Sequence, residues 1–136
     1  MIKTSLFKHT FALLFLIGVL NFIGNKLYLS WTVWWFDVFL HFFSGACVGM
    51  ATILAWNYFS GTPVTDKLKM IFIAFIGTLT IGLLWEIFEL YFGITFLADG
   101  IFYIRDTVSD LLMDMSGGFF GVLYAYRILS KENDNL

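Results

Sequence analysis

The sequence predicts an all-α, polytopic integral membrane protein: one membrane domain of four transmembrane helices in an antiparallel bundle. Three observations predict it. Of the 136 residues, 60% are hydrophobic and 13% charged, against about 45–50% and about 25% in an average soluble domain. Aromatics make up 21%, with 17 Phe, which suits side chains that meet lipid and its interfaces. Four apolar stretches are each long enough to span, since a helix needs ~20 residues to cross the hydrocarbon. The net charge of −2 offers no basic field for nucleic acid.

The first span is expected over 9–29. Lys3 and Lys8 precede its apolar run, as in a secretory leader, but the run passes into Asn21-Phe-Ile-Gly-Asn25-Lys26 with no small-x-small cleavage site. It therefore reads as a retained helix. A short linker over 30–35, rich in Trp, leads to the second span at 36–59. The single cysteine, Cys47, lies inside that apolar run and reads as a small packing residue. The linker over 60–66 holds the sole proline, Pro63, and offers Thr65 or Asp66 as N-cap for the third span, 69–92. Segment 93–105 alternates around Asp99-Gly100, a hairpin signal that predicts a small hairpin or re-entrant turn at the membrane surface. The fourth span is expected over 107–129, followed by a short, polar, disordered tail at 131–136.

With four spans, both termini and the middle linker share one side. That side carries Lys3, Lys8, Lys67, Lys69, Arg127 and Lys131, whereas the other carries Lys26 and Arg105. The excess of basic residues predicts that both termini are cytoplasmic. Trp31, Trp34 and Trp35 would form an outer aromatic belt, and Trp56, Tyr58, Tyr124 and Tyr126 an inner one.

Ionisable residues inside spans cost ~2.5–3.5 kcal/mol each near the centre on insertion scales. Here they are not scattered. Asp37 and His41 open the second span, Glu86 and Glu89 close the third, and Asp106, Asp110 and Asp114 open the fourth. Alternating helix direction stacks all of them at the extracytoplasmic end. Each set also occupies one helical face, since residues three and four apart are neighbours. The stripes are Asp37-His41-Gly45-Gly49, Thr78-Gly82-Glu86-Glu89-Gly93 and Asp106-Asp110-Asp114-Gly117-Gly121, with a weaker Gly18-Asn21-Asn25 stripe on the first span. Gly45 to Gly49 and Gly117 to Gly121 are both G-x-x-x-G, a spacing that lets two backbones approach in lipid. They predict that the second and fourth spans touch below the polar cluster.

Asp114 should lie ~12 Å deeper than Asp106 at the helical rise. His41, Glu86, Asp110 and Asp114 are then the deep members, while Asp37, Glu89 and Asp106 also read as wet helix-end residues. Arg105 reads as a snorkelling anchor, a partner for Asp106 or a holder of an anionic group, and His9 as an interfacial residue. Six carboxylates in a low dielectric cannot all stand ionised and unpaired. Either some hold protons or a cation sits among them. His41, Glu86, Glu89, Asp110 and Asp114 form the expected ligand set, with Asp37, Arg105 and Asp106 as additional polar residues. Oxygen donors with one imidazole suit magnesium, calcium, manganese or zinc.

Asp37-x-x-x-His41-Phe-x-x-Gly45 resembles a segment of YjdF-like inner-membrane proteins and, more distantly, of VanZ-like proteins. Glu86-Ile-Phe-Glu89 resembles the acidic segment of their third helix, and Asp106-Thr107-x-x-Asp110-x-x-x-Asp114-x-x-Gly117-Gly118 their last helix. The resemblance covers the second to fourth spans. It implies a multi-pass protein of a bacterial cytoplasmic membrane and supplies no reaction. The VanZ-like group is associated with low-level glycopeptide resistance, an analogy at the level of fold.

Three functions compete. The first is a protein that binds a cation or protons at the outer face, alone or as a homo-oligomer. The second is a metal-assisted membrane enzyme acting on a cell-envelope lipid or lipid-linked phosphate. No nucleophile arrangement, phosphatase-like basic motif or H-E-x-x-H motif supports it. The third is a structural subunit whose acids only specify helix packing.

Overall fold

The computed structural model describes residues 4–134. It is all-helical: α1 (Thr4–Lys26), α2 (Leu29–Thr32), α3 (Trp34–Ser60), α4 (Lys67–Phe92) and α5 (Ile101–Asp134), with a 3₁₀ turn at Leu97–Asp99. Among the described residues there is no strand, so the hairpin expected over 93–105 is not formed. Asp99-Gly100 still turns the chain, with Gly100 at φ 59°. The residues after it join α5 because Ile101 to Arg105 continue a helical run that a lone extended partner could not outbid.

The breaks between helices have local causes. Tyr28 adopts a left-handed φ of 55° and ends α1 three residues before the expected boundary. The linker expected over 30–35 is partly helical, because it contains no Gly or Pro to break α2. Gly61 at φ 69° caps α3, and the Asn57 side chain accepts from Val64 N–H at 2.8 Å to fasten the turn. Asp66 caps α4, accepting from Lys69 N–H at 2.6 Å. Gly93 closes α4 at φ 67°, and Ile94 N–H reaches back to the Glu89 carbonyl at 2.9 Å. The tail expected to be disordered is helical through Asp134; residues 135 and 136, like Lys3, lie outside the described residues, as does the Trp31 side chain.

The long helices run alternately up and down. Leu6 of α1, Ile53 of α3, Met70 of α4 and Leu129 of α5 share one buried apolar cluster at one end. Lys67 lies over the Tyr126 ring and Lys69 over the Trp56 ring at that same end. The starts of α3 and α5 and the finish of α4 meet at the opposite end, where the acids gather. Trp34 and Trp35 are exposed there.

α3 and α5 form the most extensive helix pair, as the paired G-x-x-x-G segments predict. A Cβ added to Gly45 would strike the Asp114 backbone, one on Gly117 the Phe42 carbonyl, and one on Gly121 the Ala46 carbonyl. At Gly49 it would stand 2.7 Å from the Gly118 carbonyl oxygen. The glycines therefore face one another from both helices, and only their bare backbones permit this approach. α1 joins more loosely. Cys47 Sγ meets the Thr10 carbonyl at 3.7 Å, Tyr124 OH meets His9 Nδ1 at 3.3 Å, and Gly24 packs under the Phe36 ring. The Gly18-Asn21-Asn25 stripe faces away from the bundle, because α1 makes these contacts with other faces.

α1 (from Ser5), α3 and α4 are each long and apolar enough to cross a membrane. Their outer faces expose large apolar side chains such as Phe15, Phe22, Phe72 and Leu84, a surface that water does not tolerate over such an area. The fourth expected span, 107–129, does not qualify on apolarity. Asp110, Asp114 and Arg127 fall within it, and glycines and a serine dilute the rest. α5 has 34 residues, about 51 Å at the helical rise, and so outreaches a hydrocarbon layer of ~30 Å.

Candidate functional site

The site is built on the α3–α5 seam, just above the glycine contact. Asp37 and His41 stand one turn apart on α3. Asp110 and Asp114 stand one turn apart on α5. Because Gly45 and Gly117 bring the two backbones together, the short aspartate side chains reach the imidazole directly. His41 Nδ1 lies 3.3 Å from Asp114 Oδ1. On the other side of the ring, Nε2 lies 3.8 Å from Asp110 Oδ2 and 4.0 Å from Asp37 Oδ2. One ligand-type atom each from Asp37, His41 and Asp110 falls within 4.8 Å of the others. Among the described residues this is the set of three or more such side chains that converges so closely.

Burial follows the expected depth. His41, Glu86, Asp110 and Asp114 are 8%, 5%, 3% and 7% exposed. Asp37 is half-exposed, Glu89 is intermediate, and Arg105 and Asp106 are exposed. Asp114 has a second close neighbour: its Oδ2 would be 2.9 Å from a Cβ on Gly82. Gly82 thus leaves room for α4 to pass beside the aspartate.

Glu86 and Glu89 stand outside the converging set. Glu86 Oε2 accepts from the Thr107 hydroxyl at 2.6 Å, a link between α4 and α5, while its Oε1 is buried without a hydrogen-bond partner. Glu89 Oε1 accepts from Trp85 Nε1 at 2.9 Å near the surface. Thr107 entered the sequence reading only as part of the family-like segment, with no role given to it, and Trp85 did not enter it. The signal for Thr107 was available: it lies three residues before Asp110, so the inward face of α5 runs Thr107-Asp110-Asp114, with Asp106 at its rim. Asp106 remains within electrostatic reach of Asp37 and His41. Arg105 makes no ion pair with Asp106 among the described residues. It lines an open hollow of about 500 Å³ with Thr95, Asp99, Tyr103, Asp106 and Ser109.

The imidazole arrangement has a definite chemistry. A carboxylate on Nδ1 orients the ring and turns Nε2 toward Asp37 and Asp110; with a proton on Nε2 the ring is an imidazolium among carboxylates, and without one its lone pair is a ligand. Two carboxylate oxygens and one imidazole nitrogen are then turned toward a common point.

A family model described as a predicted membrane protein, DUF2238, matches residues 2–131. The chain belongs to the DUF2238 family. This DUF2238 chain is thereby a membrane protein on two grounds, family and apolar helices. The match gives no support to the VanZ-like resemblance. No curated protein and no solved structure matches the chain.

Proposed function

We propose that this chain is a YjdF-like protein of the bacterial cytoplasmic membrane that holds a divalent cation at the extracytoplasmic end of its helices. In this reading α1, α3, α4 and α5 all span, with both termini cytoplasmic. α5 is carried through the bilayer by turning Asp110 and Asp114 inward onto α3 and α4. The excess of Lys and Arg at the opposite end supports the orientation.

The observation that carries the reading is the convergence of Asp37, His41 and Asp110 within 4.8 Å, with Asp114 on the far nitrogen of the ring. Asp37, His41 and Asp110 are the ligands. Asp114 orients His41 and raises its basicity. Glu86 and Glu89, engaged by Thr107 and Trp85, take no direct part. A set containing imidazole and buttressed by a carboxylate favours zinc or manganese over magnesium and calcium, which prefer all-oxygen surroundings. Liganding also answers the cost of burying these acids, since a cation supplies the charge they lack.

The test is calorimetric titration of the purified full chain with zinc and with manganese. One saturable site per chain, abolished by Asp110→Asn, supports the reading. Absence of saturable binding for both metals overturns it and leaves the cluster a packing device between α3 and α5.

A further inference from the structure

The hollow beside the cluster has a charge pattern of its own. It opens between the turn at Leu97–Asp99 and the first turns of α5. Its volume is about 500 Å³, enough for a small polar headgroup. Asp99 and Asp106 bring two carboxylates, Arg105 one guanidinium, and Thr95, Tyr103 and Ser109 three hydroxyls. Arg105 has no ion-pair partner among the described residues, and it is exposed together with Asp99 and Asp106. Flanking it, Leu97, Ile101 and Phe102 are 70%, 63% and 72% exposed. Large apolar side chains beside a charged hollow at the end of a bundle belong where headgroups meet acyl chains.

We infer that this hollow binds a zwitterionic amino-phosphate headgroup, that of a phosphatidylethanolamine-type lipid in the surrounding leaflet. Arg105 holds the phosphate, which its planar fork can grip through two N–H donors. Asp99 and Asp106 accept hydrogen bonds from the primary ammonium. A purely anionic headgroup would meet two carboxylates with a single counter-charge, so phosphatidylglycerol fits less well. A trimethylated ammonium has no N–H to donate, so phosphatidylcholine fits less well too. The exposed Leu97, Ile101 and Phe102 carry the start of the acyl chains. The inference rests on the hollow and its charges, and stands whether or not a cation occupies the neighbouring cluster.

The experiment presents the purified full chain, in mild detergent, with an equimolar mixture of phosphatidylethanolamine, phosphatidylglycerol and phosphatidylcholine. Retained lipid is counted by native mass spectrometry. Contacts from two exposed carboxylates to a primary ammonium predict enrichment of phosphatidylethanolamine by about threefold or more over the other two. The pair Asp99→Asn with Asp106→Asn removes that enrichment, whereas Arg105→Gln lowers the retention of all three lipids, whose phosphate it holds. All three side chains are exposed, so these variants keep the wild-type helical circular dichroism. A competition arm adds free phosphoethanolamine. Displacement of the lipid shows that the headgroup alone suffices; resistance shows that the acyl chains contribute; both agree with the assignment. Equal retention of the three lipids, enrichment untouched by the paired aspartate variant, or retention untouched by Arg105→Gln overturns it.

Discussion

Asp114 Oδ1 lies 3.3 Å from His41 Nδ1, across a seam where α3 and α5 meet glycine to glycine. The contact is long-range in sequence and short in space because the backbones beneath it almost touch. Gly45 packs on the backbone of Asp114 itself. The same approach that closes the seam therefore places the carboxylate on the ring.

The roles of Asp114 and Asp110 separate in metal affinity. Asp114→Asn keeps a group beside Nδ1 but loses the carboxylate, and metal affinity falls about 10–100-fold. His41→Gln and Asp110→Asn remove ligands and abolish saturable binding. Isothermal titration of the three variants with zinc checks the order; an Asp114→Asn protein that binds as tightly as wild type contradicts it.

The seam tolerates no methyl group. Gly45→Ala and Gly117→Ala each place a Cβ on the opposing backbone, and the helices must part, at a cost of about 1–3 kcal/mol. Gly18→Ala meets nothing within 4 Å and is neutral or slightly stabilising through helix propensity. Thermal unfolding in detergent, followed by circular dichroism, distinguishes the two classes.

The hydrogen bond from Thr107 to Glu86 ties α5 to α4. Thr107→Val removes the donor and leaves Glu86, 5% exposed, without its partner, a loss of about 1–2 kcal/mol. Thr107→Ser keeps the hydroxyl and most of the stability. Unfolding midpoints of the two variants give the comparison, and equal midpoints would show that the bond contributes nothing.

Topology can be read by cysteine labelling once Cys47, which is 5% exposed, is replaced by Ala. In intact cells a membrane-impermeant maleimide labels Asp99→Cys on the extracytoplasmic side. Thr62→Cys, in the turn at the other end, is labelled only after permeabilisation. The reverse pattern would invert the orientation and put the cluster inside.

The long helices were legible because apolar length and the Pro63 and Gly93 breaks are local signals. The α3–α5 pairing was legible from the two G-x-x-x-G segments. That Asp37, His41, Glu86, Glu89, Asp106, Asp110 and Asp114 share one end of the bundle followed from helix order alone. Three features were not legible. The burial of Asp110 and Asp114 was legible, but α5 is longer and more polar than the span expected over 107–129. The Asp99-Gly100 signal marks a turn but does not say whether strands or helices flank it. Which carboxylates reach His41 depends on helix rotation of a few tens of degrees, which spacing leaves open. Glu86 and Glu89 share the correct end of the bundle, yet they are taken up by Thr107 and Trp85.

The most direct measurement is pulsed electron paramagnetic resonance of manganese bound to the purified full chain. The account predicts one bound ion per chain whose signal is modulated by a single imidazole nitrogen, and no bound ion in His41→Gln. A bound manganese without nitrogen modulation in the wild-type chain, or no binding of either manganese or zinc, would contradict it.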